Sequence, residues 1–165
     1  MPRTTAAVPV LTALLFALAL ATLCGSPAGA AETPEPDTVV TLADVQQVLG
    51  GKWTSRSPEP GVLFYEEEGG AYRQVNLYLS PAESGKVESL KAELTQQGEP
   101  VDDVPGVGDA AIYRPQRNEA TVEAADGSGG VHSLSIAVHN AASAGDTRRF
   151  AVALAGRGAV RLKAI

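Results

Sequence analysis

Cysteine is almost missing from this 165-residue chain, whose one thiol, Cys24, falls within the first thirty positions. A lone cysteine closes no disulfide in its own chain, and if the segment carrying it is removed, thiolate catalysis and cysteine-held metal go with it. Stability must then come from the core. Histidine is scarce too: the two, His132 and His139, stand seven apart on one expected strand, an odd offset that turns them to opposite faces. They cannot share a metal without help from elsewhere. There is no Gly-x-Ser-x-Gly elbow and no His-Glu-x-x-His helix, so serine-hydrolase and zinc-peptidase readings lose their usual support. Positive charge is not in excess either: 13 Lys+Arg stand against 19 Asp+Glu. An acidic chain is a poor match for nucleic acid, whose binding is dominated by phosphate neutralisation.

What the chain does have is one long apolar run, Ala6 to Leu23, that gives way to Ser26-Pro27-Ala28-Gly29-Ala30-Ala31. A short positive end at Arg3, an apolar centre and an Ala28-x-Ala30 cleavage site predict a secretory signal peptide over residues 1–31. The run is short for a membrane span and has no basic stop-transfer flank, so no transmembrane span is expected in the mature chain. Cys24 sits where a lipidated cysteine would, but the bulky Leu23 before it fits that processing poorly, which makes lipid anchoring the less favoured outcome. Periplasmic or secreted location follows. Losing Arg3 takes the net charge from −6 to −7, and the last twenty residues hold five bases (Arg148, Arg149, Arg157, Arg161, Lys163) against Asp146 alone.

Residues 32–38, rich in Pro and acid, read as a flexible leader, and 39–165 as a single domain. Thr41 and Asp44 form a capping-box pattern with Val40 and Val45 spaced as a hydrophobic staple, and Leu42, Val45, Val48 and Leu49 share one helix face that ends at Gly50-Gly51. After a loop with Trp53 and a Ser57-Pro58-Glu59-Pro60-Gly61 breaker, Val62–Tyr65 and Tyr72–Leu79 predict a hairpin across Glu66 to Gly70. Ser80-Pro81-Ala82-Glu83 resembles a helix start, followed by the stripe Val87, Leu90 and Leu94. Strands are then expected up to Tyr113, over Ala120–Ala125 and over Val131–His139. Asp146 or Thr147 caps a last helix with Ala151, Leu154, Ala155, Gly158 and Leu162 on one face. The order α-β-β-α-β-β-β-α predicts an α+β fold with an antiparallel sheet of about five strands and helices packed on one face.

This order, with Leu42-Ala43-Asp44-Val45-Gln46-Gln47-Val48-Leu49-Gly50-Gly51 and Val104-Pro105-Gly106-Val107-Gly108-Asp109-Ala110-Ala111, resembles a group of small secreted or lipid-anchored bacterial envelope proteins of uncharacterised function. The resemblance covers most of Thr38 to Lys163. It implies an envelope location and a fold, and it brings no catalytic residues or cofactor with it.

Other clusters have bland readings. Gly106-x-Gly108 precedes a strand and lacks a following Lys, which makes it a tight turn with positive φ, capped by Asp109, and not a phosphate loop. Glu66-Glu67-Glu68 and Asp102-Asp103 read as solvated hairpin ends, His132 as a strand-end surface histidine, Trp53 as core or lid packing, and Ser128 as a loop residue without a base near it. Tyr65, Tyr72, Tyr78 and Tyr113 could place several phenols on the outer sheet face, with Gln74 and Asn76 beside Tyr78. Left uncovered, such a face suits a partner or a flat ligand; its plain reading is solvent-facing strand. Arg149, Arg157 and Arg161 offer a second surface on the last helix. The expected function is a non-enzymatic, monomeric docking module for an envelope protein or surface component. The alternative is a small-molecule or lipid carrier with a pocket between sheet and helices.

Overall fold

The structure, a computed structural model, describes residues 33–69 and 72–165. The expected signal peptide and Cys24 lie outside the described residues. Eleven elements follow one another: α1 (Pro36–Val39), α2 (Leu42–Leu49), β1 (Trp53–Glu59), β2 (Val62–Glu67), β3 (Gln74–Pro81), α3 (Lys86–Gln96), β4 (Asp102–Asp103), β5 (Ala110–Arg114), β6 (Glu119–Ala125), β7 (Val131–His139) and α4 (Ala144–Leu162). The α+β class and the antiparallel sheet are as expected; the sheet has seven strands, not about five.

The two additional strands are β1 and β4. The former is polar almost throughout, so it carries no alternation of the kind that marks a half-buried strand. It is tolerated because it is an edge: Pro58 falls where the pairing with β2 slips between Arg56 and Glu59, a place where a missing N–H costs little. β4 is only two residues long, at the opposite edge. The end of the expected leader, up to Thr38, falls within a helical turn, Pro36–Val39, that buries Pro36 and Val39.

α2 forms as its capping box predicts. Asp44 N donates to Thr41 Oγ1 at 3.2 Å, Thr41 N donates to Asp44 Oδ2 at 2.8 Å, and the staple residues Val40 and Val45 are fully buried. Two helix starts differ from expectation. Ser80 and Pro81 continue β3, opposite Ser133 and His132, and α3 begins only at Lys86. Its free N–H groups meet a carboxylate from another strand: Gly85 N and Val87 N donate to the two oxygens of Glu123 at 2.9 and 3.2 Å. For α4 the cap is Ser143, whose Oγ accepts from Asp146 N at 3.1 Å.

The strand order is β1-β2-β3-β7-β6-β5-β4, every neighbour antiparallel. Two meanders therefore meet where β3 pairs with β7. On the inner face Val75, Leu77 and Leu79 lie opposite Val138, Ile136 and Leu134 and pack with α4 through Ala151, Leu154, Ala155 and Leu162. The expectation that all helices share that face does not hold. Ile112 points opposite to Tyr113 and forms a separate apolar cluster with Val87 and Leu94, so α3 covers the outer face of β5 and β6. Topology explains this: the chain leaves β3 at the centre of the sheet and must reach β4 at its edge, and α4 already occupies the inner side.

Gly158 lets α4 lie close to the sheet, since a Cβ there would collide with Leu134 Cδ2 and press on Val40 Cγ2 at 3.1 Å. A Cβ on Gly156, two residues earlier, would only touch Val107 Cγ2 at 4.0 Å. Gly158→Ala should therefore cost about 1–3 kcal/mol by overpacking, whereas Gly156→Ala should gain about 0.5–1 kcal/mol from helix propensity. Urea titration of the two variants checks the sign of each; equal effects would show that α4 is not held at this distance by packing.

Candidate functional site

The outer face is covered on one half and open on the other. On the open half, β2 and β3 present Phe64, Gln74, Asn76 and Tyr78 in register, with Ser135, Ala137 and His139 of β7 next to them. Gln74, Asn76 and Tyr78 are thus brought together as expected from their alternation. Tyr78 is 44% exposed, and its ring meets the edge of Phe64 at 6.4 Å and 77°. Phe64 in turn lies under the Arg56 guanidinium at 4.7 Å. The turn joining β5 to β6 rises beside this surface, and together they enclose a depression of about 370 Å³ lined by Asn76, Tyr78, Gln116, Arg117, Asn118 and His139, among others.

Asn76 forms part of its wall. Its Nδ2 is 3.3 Å from His139 Nε2, while its buried Oδ1, like His132 Nδ1 elsewhere in the fold, meets no hydrogen-bond partner among the described residues. An unmet buried acceptor costs about 1–3 kcal/mol, so such a group calls for a reason. Around it, the side chains of Gln116, Arg117 and Asn118 and the Tyr78 hydroxyl make no hydrogen bond or ion pair among the described residues. Arg117 stands apart in this respect: the other seven described arginines each have a carboxylate partner.

The second expected surface, Arg149, Arg157 and Arg161, lies across the sheet from Tyr78. Arg149 is exposed and bonds Asp146 at 2.8 Å. Arg157 and Arg161 turn onto the buried Asp44: Arg157 Nη1 donates to Oδ1 at 2.9 Å, and Arg161 donates to both carboxylate oxygens and to the Val39 carbonyl. Burial raises the Asp44 pKa, but hydrogen bonds from Arg161, Thr41 and Arg157 outweigh it and hold the carboxyl well below the usual carboxylate range. Next to this hub, the buried Tyr65 hydroxyl donates to the Val40 carbonyl.

Several single residues sit differently from expectation. Tyr65 and Tyr113 are inside, leaving Tyr72 and Tyr78 as the exposed phenols. His132 is 1% exposed, not a surface residue, because Asp126 folds over it with Nε2 to Oδ2 at 2.7 Å. Ser128 also bonds Asp126 and not the imidazole, so the three groups do not line up as nucleophile, base and acid. Within the acidic run, Glu67 is not solvated; it pairs with Arg73, which lies over Trp53 and donates to the Leu49 carbonyl. Asp109 does not cap its own turn but accepts from Ala125 N and from Lys163 Nζ, each at 2.7 Å. Gly108 does adopt positive φ, and a Cβ there would strike Val122 Cγ2 and Glu123 O. Trp53 is packed in the core as expected. His132 and His139 face opposite sides, and among the described residues no group of three or more His, Cys, Asp or Glu is placed to hold a metal.

Sequence reasoning passed over the turn residues Gln116, Arg117 and Asn118. The signal available was a short polar Pro115-containing turn next to a strand with Gln74, Asn76 and Tyr78, but their adjacency depends on β7 lying between β3 and β6. Set against protein-family models, curated proteins and solved structures, the chain matches none.

Asp44→Ala should lower stability by about 2–4 kcal/mol, since it removes the helix cap and strands two arginines. Asp44 and Asp126 both have folded pKa values below their unfolded ones, so the stability they add is complete above about pH 4 and is lost as pH falls below that. Chemical denaturation of wild type and Asp44→Asn across the acid range should show a shallower acid loss in the variant; an unchanged slope would remove Asp44 from this role.

Proposed function

We propose that this is an exported, non-enzymatic envelope protein that works as a monomeric docking module, with the open half of its sheet as the docking surface. The observation that carries the proposal is a packed core under an open half-sheet on which the Gln74 side chain and the Tyr78 hydroxyl make no hydrogen bond among the described residues, with the unpaired Arg117 beside them. Sheet and inner helices pack together through Leu134, Ile136, Leu154 and Leu162, all fully buried. The alternative, a lipid or small-molecule carrier, would need an apolar cavity between those layers. The depressions described, of about 220 to 380 Å³, are instead lined by surface residues such as Glu66, Arg73, Asn76, Arg149, Arg157 and Asp109.

Export rests on the Ala6–Leu23 run and the small-residue tract after it, and the envelope on the resemblance to small secreted or lipid-anchored bacterial proteins. No helix among the described residues is long and apolar enough to cross a membrane. Of the two surfaces, the sheet face is favoured over α4. Arg157 and Arg161 spend their charge on Asp44, while Tyr78 and Arg117 have nothing comparable to do.

Retention of the protein in the cell-wall fraction of its own host tests the proposal. Tyr78→Ala and Arg117→Ala should shift the protein from wall to medium by about tenfold, with the fold retained in both by circular dichroism, while Arg149→Ala should leave retention as in wild type. Equal retention of all three variants, or loss only with Arg149→Ala, would overturn the choice of surface.

A further inference from the structure

We infer that the depression beside Tyr78 binds a neutral saccharide; this rests on the docking reading above and names its ligand class. The lining selects the ligand by elimination. Among its lining residues only Tyr78 and Ala137 are apolar, and a mostly polar lining suits neither an acyl chain nor the apolar face of a helix. Arg117 and Glu119 line the same rim without pairing, Glu119 being held by Arg114 at 3.4 Å, so the lining carries one charge of each sign and favours neither a phosphate or acidic peptide nor a basic segment by net charge.

What remains is a neutral ligand rich in hydroxyls, and the groups present match it. A sugar ring has one face of C–H bonds that stacks on an aromatic ring and a rim of hydroxyls that both donate and accept. Tyr78 supplies the ring, half-exposed and held in a T-shaped contact with Phe64, so little orientational freedom is lost on stacking. Asn76, Gln116 and Asn118 supply amides, each with a donor and an acceptor end suited to adjacent hydroxyls. Arg117 adds a fork of donors that no carboxylate among the described residues has claimed. A depression of about 370 Å³ is at the small end of ligand sites and takes roughly one or two sugar rings, so the surface would engage a short stretch of a longer polymer.

Turn residues are polar in any soluble protein, and solubility alone accounts for Gln116 and Asn118 being hydrophilic. It does not account for the buried, unmet Asn76 Oδ1 at the same place, nor for the one described arginine without an acid partner.

The test uses the isotope-labelled protein as its host exports it, with amide shifts followed by NMR during titration with tetrasaccharides of β-1,4-linked N-acetylglucosamine, β-1,4-linked glucose and α-1,4-linked glucose at millimolar concentration. In parallel the protein is bound to intact host walls and to walls stripped of protein by protease. Support is either saturable shifts at Tyr78, Arg117, Asn118 and His139 with at least one sugar, weakened about tenfold or more by Tyr78→Ala, or Tyr78-dependent binding that survives protease. Arg117→Ala repeats the measurement without touching the Phe64 contact. The inference is overturned if no sugar moves these amides and stripped walls no longer bind, while intact walls still bind in a Tyr78-dependent way; the docking surface then stands, with a protein as its partner. It is also overturned if sugar-induced shifts fall elsewhere on the molecule. If no sugar moves these amides and intact walls bind Tyr78→Ala as well as wild type, the docking reading falls together with it.

Discussion

The pairing of β3 with β7 is the contact on which the rest of the structure depends. It joins residues about sixty apart in sequence, eight register pairs long, and turns two separate meanders into one sheet. Its inner face is the centre of the core, where Leu77 meets Ile136 and Val75 meets Val138 with no exposed surface. Its outer face sets Asn76 beside Ala137 and Gln74 beside His139, which builds the floor of the candidate site. A slip of one residue would put Asn76 and Tyr78 into the core and Leu77 into solvent, so a buried inner face fixes the outer one as well. Pairing residues so far apart in sequence costs loop-closure entropy that the contacts of both faces must offset.

Charge that is unevenly placed along the sequence becomes paired in space. The terminal helix holds a cluster of bases, and each finds an acid: Arg148 with Asp102, Arg149 with Asp146, Arg157 and Arg161 with Asp44, and Lys163 with Asp109. Most of these pairs are exposed enough to contribute little singly. Asp44 is the exception, a buried carboxylate that caps α2 and takes both arginines, so it ties the start of the domain to its end. A basic helix that looks free in sequence is in this way largely neutralised as a surface.

The parts legible in the sequence are those governed by local rules. Thr41 and Asp44 sit three apart, the apolar face of α4 repeats at helical spacing, and the β2–β3 and β6–β7 hairpins are bounded by turn residues; all of these formed where expected. What was not legible depends on position in the sheet. β1 is polar because it is an edge, and a polar strand has no period to detect. The start of α3 lies later than expected because Ser80-Pro81-Ala82-Glu83 satisfies the local rule for a cap, while Ser133 and His132 offer Ser80 and Pro81 a strand partner and Glu123 caps the true helix from 36 and 38 residues away. His132 looked exposed because its burial comes from the Asp126 loop folding back, which no periodicity reports. The candidate site was half visible: alternation gave Gln74, Asn76 and Tyr78, and only the strand order adds Arg117 and Asn118.

Solubility places its own demands on the open half of the sheet, and these separate what is ordinary there from what is not. An uncovered face next to a free edge invites sheet-to-sheet association, which proteins resist with charge, proline and bulges along the edge. β1 has all three, in Arg56, Pro58 and the slip before Glu59. That defence is complete without help from the face behind it, where small hydroxyl residues like Ser133 and Ser135 would suffice. An amide with an unmet buried oxygen costs stability relative to such residues, and neither the half-exposed Tyr78 ring nor the unpaired Arg117 guanidinium is needed for edge protection. Their gathering around one depression, away from the edge that needs protecting, is the feature on which the proposed docking surface rests.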